Sequence, residues 1–169
     1  MGDDIYSGIV GMFPYAYRNS HSRIFKSYLV IGGLIISIIS LLMVFALISI
    51  IGATANVSGG TIALSRAFFI LVGLAVIMPL LTPIIGVARH LRYRETTSIR
   101  FEQRLALSGY LYIFLLYIGL IISTPTVHQQ SPPRIIEPIV SVLYSLPTIL
   151  GIFPPLIGAI IILIFYRMG

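Results

Sequence analysis

Residues 88–104 read Ala-Arg-His-Leu-Arg-Tyr-Arg-Glu-Thr-Thr-Ser-Ile-Arg-Phe-Glu-Gln-Arg. This polar stretch lies between long hydrophobic runs and carries Arg89, Arg92, Arg94, Arg100 and Arg104. Loops rich in Lys and Arg between membrane spans stay on the cytoplasmic side. The reading of this one loop therefore orients everything around it. It also decides the fold class: an all-α, polytopic helical membrane protein with four transmembrane segments, the last one broken by prolines.

Composition agrees with lipid as the solvent. Of 169 residues, 57% are hydrophobic and 9% are charged, against about 25% charged in soluble domains. The length fits a single integral membrane domain, 1–169, with no separate soluble unit. A net charge of +6 would be compatible with nucleic acid. The charges sit instead at the ends of apolar runs, where they set topology and meet anionic headgroups, so no nucleic-acid partner is expected. Cysteine is absent, which excludes disulfides, thiolate metal sites and thiol nucleophiles.

Outward from the loop, the chain divides as follows. Residues 1–27 are a cytoplasmic or interfacial N-terminus, read either as a short interfacial helix interrupted by Pro14 or as a loose tail. The spans are placed at about 28–51, 67–88, 105–122 and 139–166. Tyr28–Ile51 holds no charge and would extend about 36 Å as a helix, enough to cross with tilt. Its apolar run is longer than a signal-peptide core. Asn56-Val57-Ser58 in the following loop is a weak glycosylation match. Arg66 stands at the outer end of the second span, where it would snorkel to headgroups. In that span Pro79 and Pro83 lie four apart with Thr82 between them. Each removes a backbone donor, so a kink is expected, either for packing or as a gating hinge. Ser98 is a plausible N-cap for a helix starting at Ile99.

Residues 139–166 would make a straight helix of about 42 Å, too long for one perpendicular span. Pro147, Pro154 and Pro155 break it. A short helix over about 137–146, a non-helical 147–154 and a second helix to about 167 are expected, because proline disfavours helical geometry at the preceding residue. The first piece lies along the interface or forms half of a broken span. Nine Lys/Arg fall on the loop's side (Arg18, Arg23, Lys26, Arg89, Arg92, Arg94, Arg100, Arg104, Arg167) and two, Arg66 and Arg134, on the other. Both termini are therefore expected in the cytoplasm, and the cell membrane is the expected location.

Chemistry is scarce. With the spans drawn as above, none holds Asp, Glu, Lys, Arg or His in its interior, and ion-coupled carriers generally need such a group. His21 and His90 both fall at the inner face, but outside the spans where haem ligands usually sit; no cofactor and no metal is expected. Glu95 and Glu102 are the only acid/base partners near the arginines, and both read as neutralising them. What remains is packing. Gly32, Gly33, Ser37 and Ser40 in the first span, and Gly109 and Gly119 in the third, are small residues that allow close helix approach. Tyr110 and Tyr117 form a stripe beside them that would bond neighbouring helices.

The leading expectation is a non-enzymatic four-span protein, a structural or accessory subunit packing against other membrane subunits or itself. Its lipid partners would be anionic headgroups held by Arg89, Arg92, Arg94, Arg100 and Arg104. The alternatives are a homo-oligomeric channel or uncharged-solute pore, and a lipid-headgroup enzyme using His90 or Glu102.

Overall fold

The computed structural model describes residues 8–55, 59–93, 98–129 and 132–168, and these form helices and connecting turns with no strand among them. The α-helices are α1 (Gly8–Asn19), α2 (Arg23–Ala53), α3 (Gly60–Tyr93), α4 (Ile99–Ile122), α5 (Glu137–Ser145) and α6 (Phe153–Arg167). Four helical segments are long and apolar enough to cross a membrane: α2, α3 to Arg92, α4, and Thr148–Arg167.

Each of the first three crossing helices starts earlier than its apolar run. Helix α2 begins five residues before Tyr28, because Ser22 is its N-cap and accepts the Phe25 N–H at 3.3 Å. Such a cap satisfies one of the donors that a helix start leaves open. Helix α4 begins at Ile99 behind Ser98, as the capping pattern implies, although the Ser98 side chain makes no capping bond. That start places Glu102 inside the helix, not in the loop. Helix α3 begins at Gly60, so Arg66 is a helical residue. It does not simply reach outward. Its guanidinium donates to the Thr54 carbonyl at 3.0 Å and, from Nε, to the Thr54 hydroxyl at 3.1 Å, closing the C-terminus of α2. A cation suits a helix C-terminus because the last carbonyls are unpaired and carry partial negative charge.

Helix α3 continues through Pro79 and Pro83. The segment after α5 is different. Leu146 is extended (φ −75°, ψ 145°) ahead of Pro147, as the steric clash with a proline ring requires. Residues Thr148–Ile152 then form a 3-10 helix rather than an irregular link. Phe153 keeps helical geometry (φ −66°, ψ −46°) despite preceding Pro154, and α6 starts there. Pro154 sits in the first turn, where its missing N–H would have no intrahelical partner anyway. The 3-10 turn and α6 together extend about 30 Å, matching the hydrocarbon thickness. Helix α5 packs separately, against α4.

Helix α1 doubles back along α2 and α3. Met12 and Ala16 are buried, and a Cβ on Gly33 would meet the Phe13 ring at 3.1 Å. Gly33 lies ten residues into α2, about 15 Å along its axis. The core is therefore densest at the basic end: Ala16, Phe25, Tyr28, Leu80, Ile84, Val87, Ala88, Leu105 and Ala106 are fully buried. Towards the opposite end the side chains open to the surroundings, with Leu42, Phe45, Ile48, Leu64, Phe68 and Leu71 all exposed.

Candidate functional site: a polar seam between the spans

The seam runs beside the two prolines of α3. Within a helix proline deletes its own N–H and pushes on the carbonyl four residues back. In α3, hydroxyl groups from two neighbouring helices serve the disturbed stretch. Tyr28 Oη of α2 donates to the Leu80 carbonyl at 2.8 Å, and Tyr112 Oη of α4 donates to the Val76 carbonyl at 3.2 Å. Each acceptor lies three residues before a proline, Pro83 and Pro79 respectively. Thr82 adds a bond of its own to the Met78 carbonyl at 2.8 Å. The carbonyls that lose their helical donors are those of Ala75 and Pro79, four residues before each proline; each tyrosine bonds the next carbonyl along.

The two tyrosines need room, and glycines provide it. The Tyr28 ring lies against Gly109 of α4, where any Cβ would overlap it, and against Gly32 of its own helix. Tyr112 lies against Gly158 of α6, where a Cβ would meet the ring at 3.0 Å. Tyr110 stands edge-on to Tyr28, with centroids 5.3 Å apart at 82°, and shares a 2.9 Å hydrogen bond with the Ser27 hydroxyl. Tyr117, the other member of the expected stripe, is exposed at 63%. The tyrosines that hold the centre are thus Tyr28 and Tyr112. The sequence signal near them was the pair of prolines, which disturb α3 at that depth.

At the basic end of the seam sits Glu102. It is fully buried, and the expected neutralisation of nearby arginines does not describe it. One carboxylate oxygen, Oε2, accepts from the Ser20 hydroxyl at 2.7 Å, the Ser22 N–H at 2.9 Å and the His21 N–H at 3.2 Å. All three donors belong to the turn joining α1 to α2, so an α4 carboxylate caps the start of α2 across the fold. The helix start favours this, since its open N–H groups attract negative charge. The second oxygen, Oε1, has no hydrogen-bond partner among the described residues. Glu95 and Arg94 lie outside the described residues.

The remaining arginines of the basic loop are at the surface. Arg89, Arg92, Arg100 and Arg104 are exposed. His90 stacks on Phe101, with ring centroids 4.5 Å apart, bringing the ends of α3 and α4 together. No group of three or more His, Cys, Asp or Glu that could hold a metal exists among the described residues.

The small residues singled out in the sequence are distributed between these contacts. Gly33 takes Phe13, Gly109 takes Tyr28, and Gly119 faces the Gly151 carbonyl and Pro155. Ser37 is exposed and its hydroxyl returns to the Gly33 carbonyl at 2.9 Å. Ser40 is half-buried.

Above the seam the helices part. Between α3 on one side and α4, the 3-10 turn and α6 on the other lies a crevice of about 540 Å³. Phe68, Val72, Ala75, Leu116, Ile152 and Leu156 line it together with Tyr112 and Ser123. The lining offers an apolar surface and no charged group.

Four apolar crossing segments around a buried polar seam define a four-span integral membrane protein. The chain belongs to the family described as domain of unknown function DUF8056, which matches residues 1–169. No curated protein and no solved structure matches it.

Proposed function

We propose that this is a non-enzymatic membrane subunit that packs against other membrane proteins or against further copies of itself. The observation carrying this reading is the contrast between the two ends of the bundle. At the basic end, the polar groups of the spans bond within the chain: Tyr28, Tyr112, Tyr110 and three donors on Glu102. At the opposite end, an apolar crevice and the flanks of α2 and α3 lie uncovered. Helix association in lipid depends on close packing, and the crevice offers α3, α4 and α6 surfaces to one incoming helix.

A pore through a single copy is disfavoured, because Tyr28 and Tyr112 fill the centre. A channel would need several copies, with the 3-10 turn at Thr148–Ile152 as its unusual element. Headgroup chemistry is disfavoured as well, since Glu102, one of its few acid/base groups, is sealed inside the fold.

The orientation proposed with this function puts both termini and the basic loop in the cytoplasm, in the cell membrane. The support is the excess of Lys and Arg on that side, nine against two. Arg89, Arg92, Arg94, Arg100 and Arg104 then meet anionic headgroups, at about 1 kcal/mol each near the surface. Reporter fusions at residues 1 and 169 should both read cytoplasmic; an external reading at either end would contradict the topology. For the association itself, Val72→Trp fills the crevice from one helical turn further out than Val76, the outermost seam carbonyl of α3. It should lower recovery of the associated form at least five-fold while leaving the thermal stability of the extracted chain within 3 °C. Unchanged association would remove the crevice from the proposal.

A further inference from the structure

Helix α2 leaves the bundle partway along its length. After Ile36 none of its residues is buried. Met43 still touches α3, where a Cβ on Gly73 would overlap it. Leu41, Phe45 and Ile48 are more than half exposed. At 3.6 residues per turn they stand about 140–160° round the helix from Met43, so they point away from their own chain. Their spacings of four and three put them in one row, the way a helix presents side chains to a neighbouring helix.

Depth matches this row to the crevice. Helices α2 and α3 run antiparallel: Tyr28 meets Leu80, Met43 meets Gly73 and Thr54 meets Arg66. The α3 wall of the crevice runs from Phe68 to Val76. It therefore lies at the level of residues 40–48 of α2, counted from the Met43–Gly73 contact. No residue of α2 lines the crevice, so a chain does not fill its own. Copies in one membrane share an orientation, so the row of one and the crevice of the next meet at equal depth. Size agrees. A helix of that length with its side chains fills on the order of 1,000 Å³, whereas the crevice holds about 540 Å³. It admits one row of side chains and leaves the rest of the helix outside. Together with the exposed Leu42, Val44 and Ile51, the row offers roughly 600 Å², one partner's share of the ~1,200 Å² at which stable, specific interfaces begin. Neither surface carries a charged group.

We propose that the occupant of the crevice is α2 of a second copy, with Leu41, Phe45 and Ile48 seated against Val72, Leu116 and Leu156. This rests on the association reading and names its partner. Row and crevice lie on different faces, so the contact is head-to-tail. Each copy gives a row to one neighbour and a crevice to the other, which closes a ring or extends a chain.

The chain has no cysteine, so single introduced thiols report on contacts between copies. Phe45→Cys and Leu156→Cys are placed on separately tagged full-length chains, co-expressed, and oxidised with copper phenanthroline in the membrane. A disulfide carrying both tags should form at least five-fold more than when Phe114→Cys replaces Leu156→Cys; Phe114 is exposed on α4 but outside the crevice. Adding Val72→Trp to the Leu156→Cys chain should return the yield to the Phe114→Cys level. A mixed-tag yield at that level without Val72→Trp would overturn the proposal, since lipid or another protein would then fill the crevice. So would a Phe45→Cys homodimer in excess of the mixed product, which would set α2 against α2, and so would a yield that Val72→Trp leaves unchanged. Association itself is read independently, from the mass of the native chain in native discs. A mass above one chain beside a control-level yield rules out only the second copy as partner, whereas single chains rule out both.

Discussion

Gly109→Val should destabilise the bundle by about 3 kcal/mol, at the upper end of the range for overpacking a filled core. A Cβ at this position overlaps the Tyr28 ring. The ring cannot swing aside without giving up the bond that anchors its hydroxyl on the Leu80 carbonyl. Helix α4 must move away, and the Tyr28 bond to α3 is strained as it does so. The cause can be isolated by a double-mutant cycle. In a Tyr28→Ala background the same glycine substitution should cost less than about 1 kcal/mol, because the obstructing ring is gone and valine fills part of the space. Tyr28→Phe should cost only about 0.6 kcal/mol and no more than about 1.7, the average and the maximum for single hydrogen bonds between membrane helices. Unfolding titrations in bicelles measure all four. Equal costs for Gly109→Val in both backgrounds would show that the Tyr28 contact is not what makes the glycine necessary.

The second large effect is expected where the fourth span meets α4. Gly119 and Gly151 face one another, each with the other's carbonyl oxygen at the place its Cβ would take: 2.5 Å for Gly119 and 2.6 Å for Gly151. Pro155 closes the same space at 2.9 Å from the Gly119 position. Here backbone opposes backbone, so no rotamer change relieves a clash. Gly119→Val should cost about 3 kcal/mol or more, and Gly151→Val a similar amount. Combining them should cost much less than their sum, because one separation of the two segments accommodates both. Strict additivity would mean that the 3-10 turn does not seat on α4 as described.

The sequence was most legible where composition over a long window decides the outcome. Four apolar segments joined by polar connections are visible in the charge pattern alone, and lipid requires each to be helical. The start of α2 was less legible, since it extends into polar sequence where the Ser22 cap rather than hydropathy sets the boundary, whereas the start of α4 at Ile99 behind Ser98 could be read from the sequence. Glu102 shows the limit most clearly. With Arg100 and Arg104 two residues away on either side, it reads as an exposed, neutralised charge. Its role comes from a turn some eighty residues earlier, and nothing local announces that pairing. Tyr28 misleads for a related reason: it opens an apolar run, a position that resembles a membrane-surface tyrosine. Only the fold places Pro83 of α3 opposite it. The Pro154 case is different again, since the general rule about residues before proline gave way to the tolerance of a helix's first turn.

The central claim is that this chain works by association, and the most direct test is its mass when removed from its membrane without detergent. The protein, expressed at its native level and excised in polymer-bounded native discs, should give a protein mass above the 18.6 kDa of one chain. Whole-number multiples would indicate self-association, and a constant additional subunit would indicate an accessory role. A population made of single 18.6 kDa chains surrounded only by lipid would contradict the account.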